Sequence, residues 1–258
     1  MRFLIDVHMD YQLAQPETAL LAIEAAQCAG QTLCAQSLDL GGASVQRIAC
    51  AQNIGERIWA DVDVARLDLR YRAEVEVTRP AVTLSGRAAN GLPDLPAGVL
   101  PYVRPSRFCQ SDLFATFVEQ SFGTLEGGDK VAAILDWVRG HMAYVPGSSN
   151  AATTATDSFV ARQGVCRDYT HLVCALARAA NIPARYASVY GADVSPPDFH
   201  AVAEVWLEDA WHLVDATGMC QAQDLVVICV GRDAADVAFL ETRDWAQPLT
   251  QTVSVTRA

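Results

Sequence analysis

The chain has 258 residues, of which 51% are apolar and 19% charged, the composition of a folded globular protein with one large or two modest domains. The net charge of −11 argues against nucleic-acid binding, because a surface that follows phosphates needs dense basic residues and only 19 are present. No apolar run reaches the roughly 18 residues of a membrane span, and the N-terminus lacks the apolar core of a signal peptide. We therefore expect a cytoplasmic protein that contacts neither nucleic acid nor membrane, and the sequence leaves its oligomeric state open.

The eight cysteines form no CxxC pair, and most lie within apolar runs, where cysteine behaves as a small buried hydrophobe. We expect free thiols, with no metal and no cofactor. A zinc site made of Cys166, Cys174, His171 and His200 is a weak alternative, because Cys166 and Cys174 are too far apart to form the short ligand pair of such sites.

The first 80 residues are predicted to form antiparallel β-structure. Two segments alternate apolar and polar residues, which places each apolar set on one sheet face. The sets are Phe3, Ile5, Val7, Met9, Tyr11 and Leu13, and Leu67, Leu69, Tyr71, Ala73, Val75 and Val77. Shorter strands are predicted at 45–49 and 57–62. Residues 18–26 are ambiguous, since their Ala, Leu and Glu favour a helix and their β-rich surroundings favour a strand.

Residues 79–101 interleave four prolines with three glycines and show no sustained period. This pattern predicts a linker over 81–101, between an N-terminal β domain of residues 1–80 and a catalytic core of residues 102–258. Helical patterns follow at 111–122 and 129–142, the second one after a Gly127-Gly128 breaker. A loop of small residues is predicted at 147–156.

A buried helix is predicted to begin near Cys166 and to be stopped by Pro183. After it, strands are predicted at 184–190, 200–207, 211–214, 225–230 and 250–256, the last as an edge strand. A tight turn at 208–210 joins the second of these strands to the third.

Cys166 directly follows Gly164 and Val165 at the predicted start of this helix. The free N–H groups and the positive dipole end of a helix favour a thiolate at that position, and the glycine allows a substrate to approach closely. A buried, inert thiol is the ordinary role of a cysteine in an apolar run. The helix start after a small-residue loop favours a nucleophile instead.

A thiolate enzyme also needs a base that holds the proton and returns it to the leaving amine. His200 opens one predicted strand, and Asp215 follows the next. Because the start of one hairpin strand faces the end of the other, we expect these side chains to meet. The carboxylate would orient the imidazole, leaving the second ring nitrogen to face the sulfur. His171 is a competing base, but it lies five positions further along the helix, on a different face from Cys166.

The chain resembles bacterial transglutaminase-like cysteine peptidases in two ordered segments, GVCRDYTHLVCALARAANIPARYASVYG and DFHAVAEVWLEDAWHLVDATG. In that family, GxC, H-A-x-x-E and D-x-T-x motifs carry the catalytic residues. Further similar segments are YVRPSRFCQSD, WVRGHMAYVPGSS, ARQG and GRDAADV. The specific motifs lie within 101–237. Val202 replaces a common aromatic residue, a change that bears on the substrate groove, and Ala216 replaces a common proline.

The resemblance implies an α+β fold. It consists of a papain-like transglutaminase core, with the cysteine helix packed on an antiparallel sheet, preceded by a small antiparallel β domain. It also implies a catalytic triad in which Cys166 is the nucleophile, His200 the general base and acid, and Asp215 the orienting carboxylate.

The oxyanion hole is expected to use the backbone N–H of Cys166 and a second donor, for which Gln163, Asn150 and Tyr144 are candidates. Glu204 either ties neighbouring loops together or is an exposed strand carboxylate.

The expected reaction is acyl transfer from a peptide or protein substrate through a thioester. We favour hydrolysis, by a cysteine peptidase or amidase, because bacterial members of this family are mostly proteases. A transglutaminase that passes the acyl group to an amine is the alternative within the same chemistry. A non-catalytic binding module that retains the fold is the alternative outside it.

Overall fold

Three four-stranded antiparallel sheets and a group of helices build the protein, seen in a computed structural model that describes residues 1–258. The strands are β1 (Arg2–Leu13), β2 (Glu17–Leu21), β3 (Gln31–Asp39), β4 (Ser44–Ala49), β5 (Glu56–Val62), β6 (Arg66–Val77), β7 (Ala143–Tyr144), β8 (Gln163–Gly164), β9 (Ala184–Gly191), β10 (His200–Leu207), β11 (Ala210–Val214), β12 (Leu225–Gly231), β13 (Leu240–Glu241) and β14 (Ala246–Arg257). The α-helices are α1 (Ala115–Phe122), α2 (Gly127–His141), α3 (Ala155–Ala161) and α4 (Cys166–Ala179). None of these four helices has the length and apolar character needed to cross a bilayer.

Two of the sheets form the N-terminal β-structure, with strand orders β14-β1-β6-β3 and β13-β2-β5-β4. The alternation predicted for β1 and β6 is confirmed, because every apolar member of both sets is buried. Their side chains share one core with the inner residues of β2 and β5. The ambiguous segment 18–26 lies partly in β2, so the β-rich surroundings override its helix propensity.

Strand β3 was not predicted, because its apolar residues break the alternation. Leu33 and Leu38 both pack against the core, yet their odd spacing would place them on opposite faces of a regular strand. A bulge between Leu33 and Ala35 shifts the register against β6 and returns Leu38 to the inner face.

The C-terminal strands correct the predicted domain boundary. The sequence predicts a catalytic core over 102–258, but β14 pairs with β1 from Phe3↔Arg257 to Leu13↔Ala246, and β13 pairs with β2. The prediction of an edge strand at 250–256 is confirmed. Both ends of the chain therefore build the N-terminal sheets.

The third sheet has the order β11-β10-β9-β12 and carries α4 on one face. Helix α4 is buried on every side from Asp168 to Arg178, as predicted. It ends at Ala179, and Asn181 adopts a left-handed conformation that turns the chain before Pro183. The cysteine helix on an antiparallel sheet, together with the N-terminal β-structure, confirms the predicted α+β fold.

Helix boundaries differ from the predictions at two places. The Gly127-Gly128 pair does not precede α2 but forms its first turn, where a Cβ on Gly128 would lie 1.8 Å from the carbonyl oxygen of Leu84. The glycines are thus needed because the 81–101 segment packs directly on the helix start. The predicted loop 147–156 overlaps α3, whose capping box joins Thr154 and Asp157.

Candidate active site

Cys166 is the first residue of α4 and is partly exposed. The backbone of this helix start is fixed by Asp168, a fully buried carboxylate. Its Oδ2 accepts the N–H of Val165 at 2.8 Å and the hydroxyl of Ser149 at 2.5 Å. The thiol therefore lies at the positive end of a helix whose entry is held from inside the protein.

His200 and Asp215 meet beside the helix start because β10 and β11 form a hairpin. The turn residues Glu208 and Asp209 both have positive φ, and the register pairs Ala203 with Val214. His200 Nε2–H donates to Asp215 Oδ2 at 3.0 Å, and the two side chains are 0% and 1% exposed. Water is thus excluded from this hydrogen bond.

Asp215 is held by groups other than the histidine as well. Its Oδ1 accepts the backbone N–H and the hydroxyl of Thr217, and its Oδ2 also accepts the N–H of Cys220. Burial alone would raise the pKa of this carboxyl, but the bond to His200 and these further donors lower it below its ordinary value. Asp215 is therefore an ionised hydrogen-bond acceptor that fixes the imidazole.

The second ring nitrogen of His200, Nδ1, is buried and has no hydrogen-bond partner. Burial lowers the pKa of the imidazole, but the hydrogen bond to Asp215 and the neighbouring Cys166 thiol outweigh burial and raise the pKa to about 9. A protonated His200 can therefore hold its Nδ1 proton at neutral pH, next to the sulfur.

Tyr144 is the one of the three oxyanion candidates that lies against Cys166. The pairing of β7 with β8 places Tyr144 opposite Gly164, two residues before the thiol. Burial and then the proximity of Cys166 raise the pKa of Tyr144 to about 12, while the N–H of Cys166 acts in the opposite direction. The hydroxyl thus stays protonated, near both the sulfur and the first N–H of α4.

The structure does not link Gln163 or Asn150 to the thiol. Gln163 is exposed on β8 and makes no side-chain hydrogen bond. The side-chain Oδ1 of Asn150 accepts the N–H of Ala152 at 2.8 Å, and the backbone carbonyl oxygen of Asn150 accepts from Arg167 at 2.6 Å. Asn150 therefore shapes the loop that packs on the start of α4.

Glu204 is not an exposed strand carboxylate. It is buried on β10 and accepts from Arg185 Nε on β9 at 2.5 Å. Arg185 also bonds Gln52 and lies over the ring of Trp211 at 4.2 Å. The buried pair thus connects the third sheet to the segment between β4 and β5 that contains Gln52.

His171, the competing base, is fully buried in α4, and its Nε2 accepts the N–H of Ala234 at 3.1 Å. Burial lowers the pKa of His171 to about 3, so this imidazole stays neutral. It has a structural role. Across the structure, no three His, Cys, Asp or Glu side chains converge on a possible metal position.

Comparisons with known proteins identify the family. Residues 116–216 match the model of the transglutaminase-like superfamily core. The structure superposes with a TM-score of 0.93 on a "Putative Cysteine Protease from Cytophaga hutchinsonii", which is 31% identical in sequence, over 99% of this chain and 90% of that chain. The chain belongs to the transglutaminase-like superfamily.

Two curated relatives match shorter segments. An uncharacterised protein of Mycobacterium leprae is 29% identical over 120 residues, 43% of each chain. Another, from Mycobacterium tuberculosis, is 34% identical over 109 residues, 36% of this chain and 35% of its own length. The matches thus span less than half of these relatives. Family membership and the geometry around Cys166 together support a cysteine-dependent enzyme.

Proposed function

We propose that the protein is a cysteine peptidase or amidase that hydrolyses peptide-type amide bonds through a thioester on Cys166. The observation that carries this proposal is the buried His200–Asp215 pair, whose free Nδ1 lies beside Cys166 at the start of α4. The likeness to the Cytophaga protein supports hydrolysis over transfer to an amine.

In the acylation step, the Cys166 thiolate attacks the amide carbonyl carbon. The negative charge on the carbonyl oxygen is stabilised by the N–H of Cys166 and the hydroxyl of Tyr144. The C–N bond then breaks, and His200 gives its Nδ1 proton to the leaving amine. A thioester and a neutral imidazole remain.

In the deacylation step, the neutral His200 takes a proton from water, whose oxygen attacks the thioester carbonyl. The C–S bond breaks, which releases a carboxylic acid and regenerates the thiolate beside an imidazolium. Asp215 holds the ring in one orientation through both steps. An amine in place of water would give a transamidation product.

The proposal is tested by incubating the protein with a mixed peptide library, with and without an added primary amine, and identifying products by mass spectrometry. New carboxyl termini indicate hydrolysis, and amine adducts indicate transfer. We expect Cys166→Ala to lower turnover by a factor on the order of 10⁴ or more, and Cys34→Ala, which removes an exposed thiol, to leave it unchanged. Equal turnover by wild type and Cys166→Ala would disprove the proposal.

A further inference from the structure

Asp198 lies on the segment that leads into His200 and carries an exposed carboxylate without a cationic partner. Its Oδ1 accepts the side-chain N–H of Gln251 at 2.7 Å and the backbone N–H of Phe199 at 2.8 Å. Asp193, on the same segment, differs because Arg257 pairs with it. Asp198 is thus held in position by neutral donors, and its charge remains available to a ligand.

Asp198 forms part of the wall of a cavity of about 150 Å³ between this segment and β14. The remaining wall is largely aliphatic, with Val194, Pro197, Val253 and Val255. A cavity of about this volume in a protein interior accommodates a ligand the size of benzene. The space therefore fits the stem of one aliphatic side chain, and Asp198 adds a carboxylate to the lining.

Two features connect the wall of this cavity to the proposed catalytic residues. Asp198 is two residues before His200 in the chain. In addition, Gly191 contacts Cys220, since a Cβ on this glycine would lie 2.6 Å from the sulfur, and the N–H of Cys220 donates to Asp215. The charge of Asp198 also contributes, after burial and Cys166, to the raised pKa of Tyr144.

We infer that this cavity is a substrate subsite for an aliphatic side chain that ends in a cation, such as lysine, with Asp198 binding the cationic group. The inference deepens the proposed function and rests on it for the identity of the reacting thiol. The cation can come from a side chain of the acyl donor, or from a side chain of an acceptor that attacks the thioester through a second, uncharged amine, because an ammonium group paired with Asp198 has no free electron pair. The net charge of −11 favours the approach of either one.

The test measures the rate of Cys166 alkylation by two probes of similar length, the iodoacetyl derivatives of lysine amide and norleucine amide, located by peptide mass spectrometry. We expect the lysine probe to react about three to ten times faster, as a partly exposed charge pair predicts. The preference should disappear in Asp198→Asn, which keeps both hydrogen bonds to Oδ1. It should persist in Asp193→Asn, a matched change on the same segment.

Equal rates for the two probes, or a lysine preference that survives in Asp198→Asn, would overturn the subsite. Because alkylation requires no turnover, an Asp198-dependent preference without any peptide cleavage would uphold the subsite and refute the proposed hydrolysis. Peptides that carry lysine beside the scissile bond, compared with free lysine amide as acceptor, distinguish the two sources. Faster hydrolysis assigns the cation to the donor, and adduct formation assigns it to the acceptor.

Discussion

At the scale of single residues, the environment of His200 sets the expected pH dependence. In the proposed mechanism the imidazolium donates the proton to the leaving amine, and the pKa of His200 is raised to about 9, so the protonated form persists below that pH and is lost above it. We expect kcat/KM to fall on the alkaline side with an apparent pKa near 9, measured with a peptide substrate between pH 6 and 10.5.

Asp215→Asn provides the control for this assignment. Burial lowers the pKa of His200, and this substitution removes the carboxylate whose hydrogen bond raises it. The alkaline fall in kcat/KM should therefore move to lower pH, and the rate should also fall. An unchanged alkaline fall in this variant would assign the titration to another group.

Tyr144 is expected to act on the transition state. Tyr144→Phe removes the hydroxyl but keeps the ring, so kcat should fall about 10²- to 10³-fold with little change in KM, the effect of losing one oxyanion donor. Tyr169→Phe is a matched control, because that hydroxyl donates to the Met142 carbonyl oxygen in the protein interior. Steady-state kinetics of both variants test whether Tyr144 is an oxyanion donor. A change in KM without a change in kcat would exclude that role.

The sequence was sufficient to predict those contacts that depend only on local topology. A two-residue hairpin turn between β10 and β11 is enough to bring His200 to Asp215, and a helix start is enough to present Cys166. The sequence was not sufficient to predict the hydrogen bond between Ser149 and Asp168 or the one between Gln251 and Asp198. Those contacts depend on how distant segments pack. The only local signal for the hydrogen bond with Ser149 was an acidic residue, Asp168, in the first turn of α4.

At the scale of elements, two of the three glycines of α2, Gly128 and Gly140, provide a matched test of packing. Gly128→Ala would place a Cβ 1.8 Å from the backbone oxygen of Leu84, which cannot move as a side chain can. We expect it to lower the free energy of unfolding by a few kcal/mol, about the effect of overpacking.

Gly140 lies in the same helix, and a Cβ added there would have no neighbouring atom within 4 Å. Gly140→Ala should therefore raise the free energy of unfolding by about 0.5 to 1 kcal/mol, because alanine has the higher helix propensity. Urea unfolding followed by circular dichroism measures both variants. Equal effects in the same direction would mean that the 81–101 segment does not pack against α2.

Elements with an unbroken pattern were predictable, and those with a local irregularity were not. The period of two in β1 and β6 runs without interruption over each strand. The bulge in β3 disrupts the pattern by one residue, and α3 is too short, at seven residues, to show a helical stripe. The capping-box pair of Thr154 and Asp157 was the readable sign of α3.

At the scale of the whole molecule, β14 joins the two ends of the chain. Removing residues 246–258 would strip β1 of one neighbour and take Val253 out of the shared core. We expect the shortened protein to unfold at markedly lower urea, with loss of the N-terminal sheets in hydrogen exchange. Native-like protection of β1 in the shortened chain would contradict this.

The domain assignment was the part least accessible from the sequence. The loss of a regular period after residue 79 indicates a boundary, but no pattern in β14 predicts which distant strand it pairs with. Buried side chains of β9 and β12 extend the N-terminal core, including Tyr190 and Ile228. The N-terminal β-structure and the third sheet therefore share apolar contacts that a linear division of the chain separates.

The pairing of β1 with β14 also has a consequence for biosynthesis. The first strand leaves the ribosome early, whereas its partner is translated after all the other strands and helices described above. Until then β1 has an unpaired edge, a site at which nascent chains associate wrongly. Gln251 and Val253 are also part of β14, so the pocket beside Asp198 forms only after this strand has been translated. One strand therefore completes both the edge of the first sheet and this pocket.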